Sequence, residues 1–185
     1  MRNLFLFMQL FVALILWSNG NAWASEFSLA GLTTKEDLLF NDQKSDKLTI
    51  YIFLSKDCPC SKAYMGYFNT LIDQYPEYRF VGIHAIKNKS SNDLKTFLNS
   101  KEVKNSKLTL FNDPELQLAN YFKAIKTPHV FIVNDKKIIY SGAVANSMMP
   151  QNAKIFYLEN ALKEFKEKGS ISTTETKALG CYIVR

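Results

Sequence analysis

Hydrophobic and polar residues follow two different periods along this chain, one typical of buried strands and one typical of amphipathic helices. Nearly continuous apolar runs at residues 48–54 and 79–86 predict strands that are covered on both faces. Between them, apolar side chains recur at helical spacing from Cys60 to Tyr75, and Pro76 predicts the end of that helix. The first half of the chain is therefore expected to form a strand, a helix and a second strand.

The same patterns continue through the second half of the chain. They predict, in order, a helix beginning at Ser91 or Asn92 and running to Asn99, a strand at 107–111, a helix at 114–122, a hairpin of strands 130–134 and 137–141, and a helix at 152–168 ended by Gly169. A short strand or hairpin is expected within 25–47. Strands that alternate with helices imply a largely parallel central sheet, and the late hairpin adds an antiparallel edge, so the predicted fold class is α/β.

The first 24 residues differ in kind from the rest. Arg2 is their only charge, an apolar run at 4–17 follows, and Ala22-Trp23-Ala24 supplies small residues where a signal peptidase cuts. This layout predicts a signal peptide, residues 1–24, cleaved after Ala24, and a periplasmic or secreted protein. If the segment were retained, it would anchor the protein to a membrane. The mature chain then divides into a domain at 25–169 and a polar tail at 170–185.

The charge of the chain argues against one class of partner. Its net charge is +6, but nearly all basic residues are lysines that lie among acidic residues. A nucleic-acid-binding protein would more typically cluster arginines with aromatic residues on one face. A solvated, lysine-rich surface is the simpler interpretation, and no nucleic-acid partner is expected.

Cysteine placement carries the strongest chemical signal. Cys58 and Cys60 lie where the first buried strand gives way to a helix, whose N-terminal N–H groups favour a thiolate over a thiol. Pro59 suits the first helical position because its missing N–H costs nothing there. The third cysteine, Cys181, lies close to the end of the chain, and an odd number leaves at least one sulfur unpaired or exchanging partners. We predict a functional Cys58 rather than a buried structural one.

The role of Cys60 is open at this level. A Cys-x-Cys pair closes only a small, strained and easily reduced disulfide ring, or it offers two thiolates to a soft ion such as Cu(I). A third interpretation is that Cys60 packs on the helix without a chemical role. His129 is a candidate third copper ligand or thiolate stabiliser, whereas His84, inside an apolar strand, is expected to be an interior histidine.

Thr127-Pro128 precedes a strand that is expected beside the first one. Proline does not fit inside a central strand, so it should begin the strand or form a cis peptide bond. A cis Pro128 would turn its backbone towards the cysteines, where it could hold an extended thiol substrate.

These residues resemble a known family. Cys58-Pro59 at a helix start, Thr127-Pro128 before a strand and the terminal helix are similar to the thioredoxin-like fold, a three-layer sandwich with a mixed central sheet flanked by helices. Asp57-Cys58-Pro59 and the closing 180–185, of the form G-C-x-I-x-R, resemble exported bacterial proteins of the redoxin branch, related to alkyl hydroperoxide reductase and thiol-specific antioxidant proteins. The resemblance implies that Cys58 is the nucleophile and Pro128 the cis-proline.

Two departures from these families limit the expected activity. Ser61 stands where the second cysteine of Cys-x-x-Cys would be, which weakens the case for ordinary thioredoxin-type reduction. In the peroxidase motif P-x-x-x-T/S-x-x-C, Ser55 fills the T/S position three residues before Cys58, but Tyr51 stands where the proline would be. Peroxidases of this type also use a downstream arginine, and neither Arg79 nor Arg185 stands at the expected strand, so peroxidase activity is disfavoured.

The leading hypothesis is an exported thiol–disulfide oxidoreductase that needs no cofactor and exchanges electrons with protein or small-molecule thiols. Cys58 attacks, Cys60 or Cys181 resolves the mixed disulfide, and Thr127 and Pro128 position the partner. The alternatives are a Cu(I)-binding or copper-delivery protein using Cys58, Cys60 and His129, a thiol peroxidase, and an interaction domain that has lost catalysis. The tail could bring Cys181 back to Cys58, or Cys181 could be a structural staple.

Overall fold

The structure, a computed structural model, describes residues 27–40, 47–87 and 91–185. Its strands are β1 (Phe27–Leu29), β2 (Leu38–Phe40), β3 (Thr49–Leu54), β4 (Arg79–His84), β5 (Thr109–Asn112), β6 (Lys126–Thr127), β7 (His129–Asn134), β8 (Lys137–Gly142) and β9 (Cys181–Tyr182). Its helices are α1 (Pro59–Gln74), α2 (Ser91–Leu98), α3 (Lys101–Lys104), α4 (Gln117–Tyr121) and α5 (Tyr157–Lys168), with one 3₁₀ turn at Pro150–Asn152. The predicted signal peptide lies outside the described residues.

Five of the strands form a mixed central sheet in the order β5-β4-β3-β7-β8. The first three are parallel to one another, while β7 runs antiparallel to both β3 and β8. The strand β3 lies at the centre and is buried along its whole length, as its continuous apolar sequence predicts. Parallel β3 and β4 both end beside the start of α1, so the sheet delivers residues 55–58 to one edge.

Apolar residues cover both faces of this sheet. On one face, α1, α2, α3 and α5 pack through side chains such as Phe68 and Leu162, which are fully buried. On the other face lie α4 and the antiparallel β1–β2 hairpin, joined by Ile183 from the end of the chain. These three layers confirm the predicted α/β sandwich. Successive side chains of β3 point to opposite faces of the sheet, so Ile50 and Ile52 face one layer while Tyr51 and Phe53 face the other.

Two predicted helices begin later than their sequences indicate. The helix expected at 114–122 covers only Gln117–Tyr121, because Leu116 adopts a left-handed conformation with φ 55°. Asp113 still accepts a hydrogen bond from the backbone N–H of Ala119 at 2.8 Å, so the predicted capping residue acts on the shorter helix. The final helix begins at Tyr157 rather than at residue 152, after the 3₁₀ turn, and ends at left-handed Gly169 as predicted.

The polar segment after α5 is attached to the sheet edge. Ser141 of β8 exchanges backbone hydrogen bonds with Thr174 and Thr176, at 2.9 and 3.0 Å. The hydroxyl of Thr176 lies 2.9 Å from that of Tyr140 and accepts from the backbone N–H of Ala143. These contacts fix the path by which the chain reaches β9. Within the described part of the chain, no helix is long and apolar enough to cross a membrane.

Candidate functional site

The first turn of α1 holds Cys58 at the carboxyl edge of the sheet. Cys58 is the N-cap residue with extended backbone angles (φ −95°, ψ 110°), and Pro59 occupies the first helical turn as predicted. The backbone N–H of Cys58 donates to the carbonyl of Ser55 at 3.2 Å, which closes the turn between strand and helix. The Cys58 side chain has no exposed surface.

A cis peptide bond joins Thr127 to Pro128, one of the two possibilities that the sequence left open and the one that the family resemblance implies. It lies between β6 and β7, and β7 pairs with β3 so that His129 is opposite Phe53. This register carries Thr127 to the start of α1, where the Cys58 thiol donates to the Thr127 carbonyl oxygen with an S···O distance of 2.8 Å. The buried hydroxyl of Thr127 has no nitrogen or oxygen hydrogen-bond partner among the described residues.

The end of the chain returns to this same point. Strand β9 pairs antiparallel with β6, which places Cys181 opposite Thr127 and Tyr182 opposite Lys126. The backbone N–H of Ile183 extends the ladder by donating to the Ile125 carbonyl at 3.1 Å. The tail therefore forms an added strand beside the cis-proline and covers Cys58.

Gly180 permits the close approach of this added strand. Its φ is +140°, and a Cβ atom built on it would lie only 2.1 Å from the Thr127 carbonyl oxygen. A residue with a side chain could take this position only if the tail moved away. Beyond β9, the Arg185 guanidinium donates to the Ala124 carbonyl at 2.5 Å and to Asn120 Oδ1 at 3.4 Å.

The result is a group of three thiols from two distant parts of the sequence. The sulfur atoms of Cys58, Cys60 and Cys181 all lie within 4.8 Å of one another. All three are free thiols; Cys58 and Cys60 are buried, and Cys181 is partly buried. The group contains every candidate catalytic cysteine of the sequence analysis.

The three thiols differ in acidity. Burial opposes ionisation of Cys58, but hydrogen bonding to Cys181, to the side chain of Thr127 and to the backbone and side chain of Ser61 outweighs it and lowers the pKa of Cys58 to about 7. Ser61 lies in the first turn of α1, so the residue that replaces the second cysteine of Cys-x-x-Cys supports the thiolate of the first. Cys58 is thus the group poised to ionise near neutral pH.

The other two thiols are held protonated. Burial and the neighbouring Cys58 raise the pKa of Cys60, and burial with hydrogen bonding to Cys58 raises that of Cys181 to about 12. A thiolate on Cys58 repels negative charge on its neighbours, so one sulfur carries the charge while the other two act as hydrogen-bond donors. This is the arrangement of one nucleophile with two potential resolving thiols.

Neither histidine belongs to this group of possible ligands among the described residues. The Nδ1 of His129 accepts from the Ile125 backbone N–H at 3.3 Å, its ring packs on Phe131, and burial lowers its pKa to about 4. Cys181, rather than His129, is the third member of the potential ligand group found among the described residues. His84 is buried, lies 3.1 Å from Asn112 Oδ1 through Nδ1 and stacks on Phe97.

Neither Arg79 nor Arg185, the two arginines of the described residues, reaches the thiols in the manner expected of a peroxidase. Arg79 pairs with Thr49 at the first residue of β3, whereas Cys58 lies beyond the other end of that strand, which is about 17 Å away. Arg185 bonds to Ala124 and Asn120 as described above. The structure thus offers no arginine contact to Cys58 among the interactions of its described residues.

A cleft of about 440 Å³ lies directly beside the tail strand. It is lined on one side by the tail, including Cys181 and Ile183, and on the other by residues that follow β3 and β4, including Asp57 and Ile86. This volume falls within the range of small-molecule and peptide side-chain pockets. Cys181 is thus the thiol of the group that lines the cleft.

Comparison with known proteins places the chain in a family. The family model described as "Domain of unknown function (DUF6436)" matches residues 28–183. The chain belongs to this family. No curated protein matches it in sequence.

Solved structures show what fold this DUF6436 protein has. A crystal structure of an uncharacterized conserved protein from Geobacillus kaustophilus matches with a TM-score of 0.70 at 24% identity, over 88% of this chain and 89% of that one. A hypothetical protein from Sinorhizobium meliloti 1021 gives 0.69 at 18% identity, over 86% and 91%. The pneumococcal exposed lipoprotein thioredoxin Etrx1 from Streptococcus pneumoniae gives 0.57 at 17% identity, over 77% and 99%. These likenesses confirm the thioredoxin-like fold.

The predictions from the sequence did not identify the residues that assemble the site. Three residues that were noted only as parts of motifs or departures from them have structural roles here. Gly180 lets the tail strand approach, Ser61 supports the Cys58 thiolate, and Arg185 holds the end of the chain. A glycine directly before a cysteine in a short apolar terminus was the one available signal for a close backbone approach.

Proposed function

We propose that this DUF6436 protein is an exported thiol–disulfide oxidoreductase in which Cys58 is the nucleophile and Cys181 the resolving thiol. The observation that carries the proposal is the group of three free thiols within 4.8 Å, of which only Cys58 has a pKa lowered to about 7. A thiol with a pKa near the ambient pH combines a useful thiolate fraction with high nucleophilicity. Export is supported by the signal-peptide pattern of residues 1–24.

The proposed exchange has two steps. The Cys58 thiolate attacks one sulfur of a substrate disulfide, which forms a mixed disulfide and releases the other substrate sulfur as a thiolate. The Cys181 thiol then loses its proton to that thiolate and attacks Cys58, which releases the second substrate sulfur as a thiolate and leaves a Cys58–Cys181 disulfide. The substrate gains the two electrons that the cysteine pair loses, and the reverse sequence oxidises a substrate dithiol.

Cys181 suits the resolving role better than Cys60 does. A Cys58–Cys60 disulfide would close a ring across a single intervening residue, Pro59, inside the first turn of α1. Cys181 approaches from another strand and already exchanges a hydrogen bond with Cys58. In this proposal Cys60 stays a thiol throughout the reaction, and its proximity helps to keep the pKa of Cys181 raised.

Access to Cys58 requires movement of the tail. Because Cys58 has no exposed surface, an external disulfide cannot reach its sulfur while β9 is paired with β6. Residues 180–185 would have to detach, which exposes Cys58 and the backbone of Thr127 together. The cleft beside Cys181 is the adjacent space in which a substrate first binds.

Disulfide exchange by the reduced, metal-free protein tests the proposal. Reaction with excess glutathione disulfide, followed by mass mapping, should give a Cys58–Cys181 disulfide in the wild type. C181S should accumulate the mixed disulfide on Cys58, and C58S should abolish exchange, while C60S, the matched control for loss of a neighbouring thiol, should still form Cys58–Cys181. Exchange at the wild-type rate in C58S would overturn the proposal, and a Cys58–Cys60 product in the wild type would overturn the role of Cys181.

A further inference from the structure

The same three sulfur atoms form a cage of the size that a soft metal ion requires. With metal–sulfur bonds of about 2.3 Å, three thiolates around a trigonal ion lie roughly 4.0 Å apart. The sulfurs of Cys58, Cys60 and Cys181 lie within 4.8 Å of one another, so small side-chain adjustments suffice to close on an ion. We propose that the protein binds one Cu(I) ion through Cys58, Cys60 and Cys181 when its thiols are reduced.

The chemistry of the donors selects the metal. Thiolates favour Cu(I) and other soft ions, whereas Mg²⁺ and Ca²⁺ take oxygen ligands. A structural zinc site takes four ligands in a tetrahedron. In the parts of the chain that the structure covers, the ligand group contains three cysteines and no histidine or carboxylate. Three sulfur ligands without a fourth group suit Cu(I) better than Zn²⁺.

The ligands come from two backbone elements that are fixed independently. Cys58 and Cys60 are held by the first turn of α1, and Cys181 is held by its pairing with Thr127. The position of Cys181 in turn rests on Gly180, which allows the tail to lie against the Thr127 carbonyl. The third ligand is therefore a property of the tail, and a truncated chain would retain only the Cys-x-Cys pair.

Burial protects such a site from water and oxidants. Cys58 and Cys60 are 0% and 7% exposed, and Cys181 lies at the edge of the cleft. This geometry gives two buried ligands and one that faces an entry route. Because a disulfide between any two of the cysteines removes both thiolates, Cu(I) binding and the proposed exchange compete for the same atoms.

Anaerobic titration of the fully reduced, full-length protein with Cu(I), against a chromophoric Cu(I) chelator, tests the proposal. One Cu(I) per chain is expected to be withdrawn from the chelator by the wild type. Removal of a residue that only hydrogen-bonds to a metal ligand lowers metal affinity by about 10–100-fold. C181S removes a ligand itself, so it should weaken Cu(I) binding by at least about tenfold. C60S should weaken it similarly, and circular dichroism confirms that each variant is folded.

Two matched variants separate this site from the one that the sequence suggested. Y182S changes the exposed neighbour of Cys181 without removing a sulfur, and H129Q removes the histidine that lies outside the thiol group. Both should bind Cu(I) with wild-type affinity. The proposal is overturned by no stoichiometric binding, by equal affinity in C181S and wild type, by loss of binding in H129Q, or by tighter binding of Zn²⁺ in a parallel titration. None of these outcomes affects the metal-free exchange assay, so the two proposals fail separately.

Discussion

The strand-to-helix turn around Cys58 and the tail around Cys181 supply the same chemical group in opposite physical settings. Cys58 lies between two long elements of the core and has a pKa lowered to about 7. Cys181 lies in a two-residue strand near the chain end, and its pKa is raised to about 12. One thiol is rigidly placed and acidic, whereas the other is weakly held and protonated.

This difference suits a nucleophile and a partner that must move. The Cys58 turn is built into the core through β3 and α1, so it keeps its geometry whatever the tail does. The tail is held by the two residue pairs of the β6–β9 ladder, by Ile183 in the cluster on the second face of the sheet, and by Arg185. We expect these few contacts to open at a lower free-energy cost than the elements around β3 and α1. The tail thus combines the functions of cover and resolving thiol.

Removing a core side chain under α1 should give the largest effect. Phe68 is fully buried against the sheet, so Phe68→Ala should lower the free energy of unfolding by about 3–5 kcal/mol. Ile183→Ala removes a buried side chain from the tail and should cost about 2 kcal/mol or less, because the tail can detach while the domain stays folded. Urea denaturation measures the loss of unfolding free energy in both variants. Equal losses would show that the tail unfolds together with α1 rather than detaching first.

Gly180 should control how tightly the tail covers Cys58. A Cβ at this position lies 2.1 Å from the Thr127 oxygen and φ is +140°, so Gly180→Ala should weaken tail docking by about 1–3 kcal/mol. Alkylation of Cys58, followed by mass spectrometry, should then be about 5- to 150-fold faster. Gly66→Ala is the matched control, because Gly66 is an exposed position of α1 where an added Cβ meets no atom within 4 Å, and it should leave alkylation unchanged. An unaltered rate in Gly180→Ala would contradict the covering role.

The different acidities predict how stability depends on pH. Since the pKa of Cys58 falls from 9.0 to about 7 on folding, unfolding takes up a proton between these values, and stability should rise from pH 7 to 9 by up to about 1.4 kcal/mol per unit. Above pH 9 the raised pKa values of Cys60 and Cys181 act in the opposite direction, and stability should fall. The free energy of unfolding is measured against pH for the wild type and for Cys58→Ser, and the difference between the two curves isolates the contribution of Cys58. A difference that falls from pH 7 to 8 would refute the lowered pKa.

Arg185 should give the smallest effect. Its guanidinium bonds to the Ala124 carbonyl and Asn120 at a partly exposed site, so Arg185→Ala should loosen the tail by about 0.5–1 kcal/mol. Cys58 alkylation should become a few times faster, less than in Gly180→Ala. Val184→Ser is the control, since Val184 is 74% exposed and should leave the rate unchanged. A larger effect in the control would show that the last residues act through their strand rather than through the arginine.

The sequence by itself determined the central part of the molecule. Continuous apolar runs predicted β3 and β4, helical spacing predicted α1 to within a residue at each end, and Asn134 to Lys137 predicted the β7–β8 hairpin. These elements are encoded locally, because each depends on the period of its own apolar residues. Cys58 at the helix N-terminus follows from the same kind of local signal, whereas the cis bond before Pro128 was implied by the family resemblance.

Only the tertiary structure decided what lies next to Cys58. The partner question was left open between Cys60, Cys181 and His129, since sequence spacing does not record which segments the sheet brings together. The β7 register carries Thr127 to Cys58, and the β6–β9 pairing then carries Cys181 to both. Such pairings join residues more than fifty positions apart and depend on a glycine that lets two backbones touch. The nucleophile is therefore a local property of this sequence, and its partner is a property of the fold.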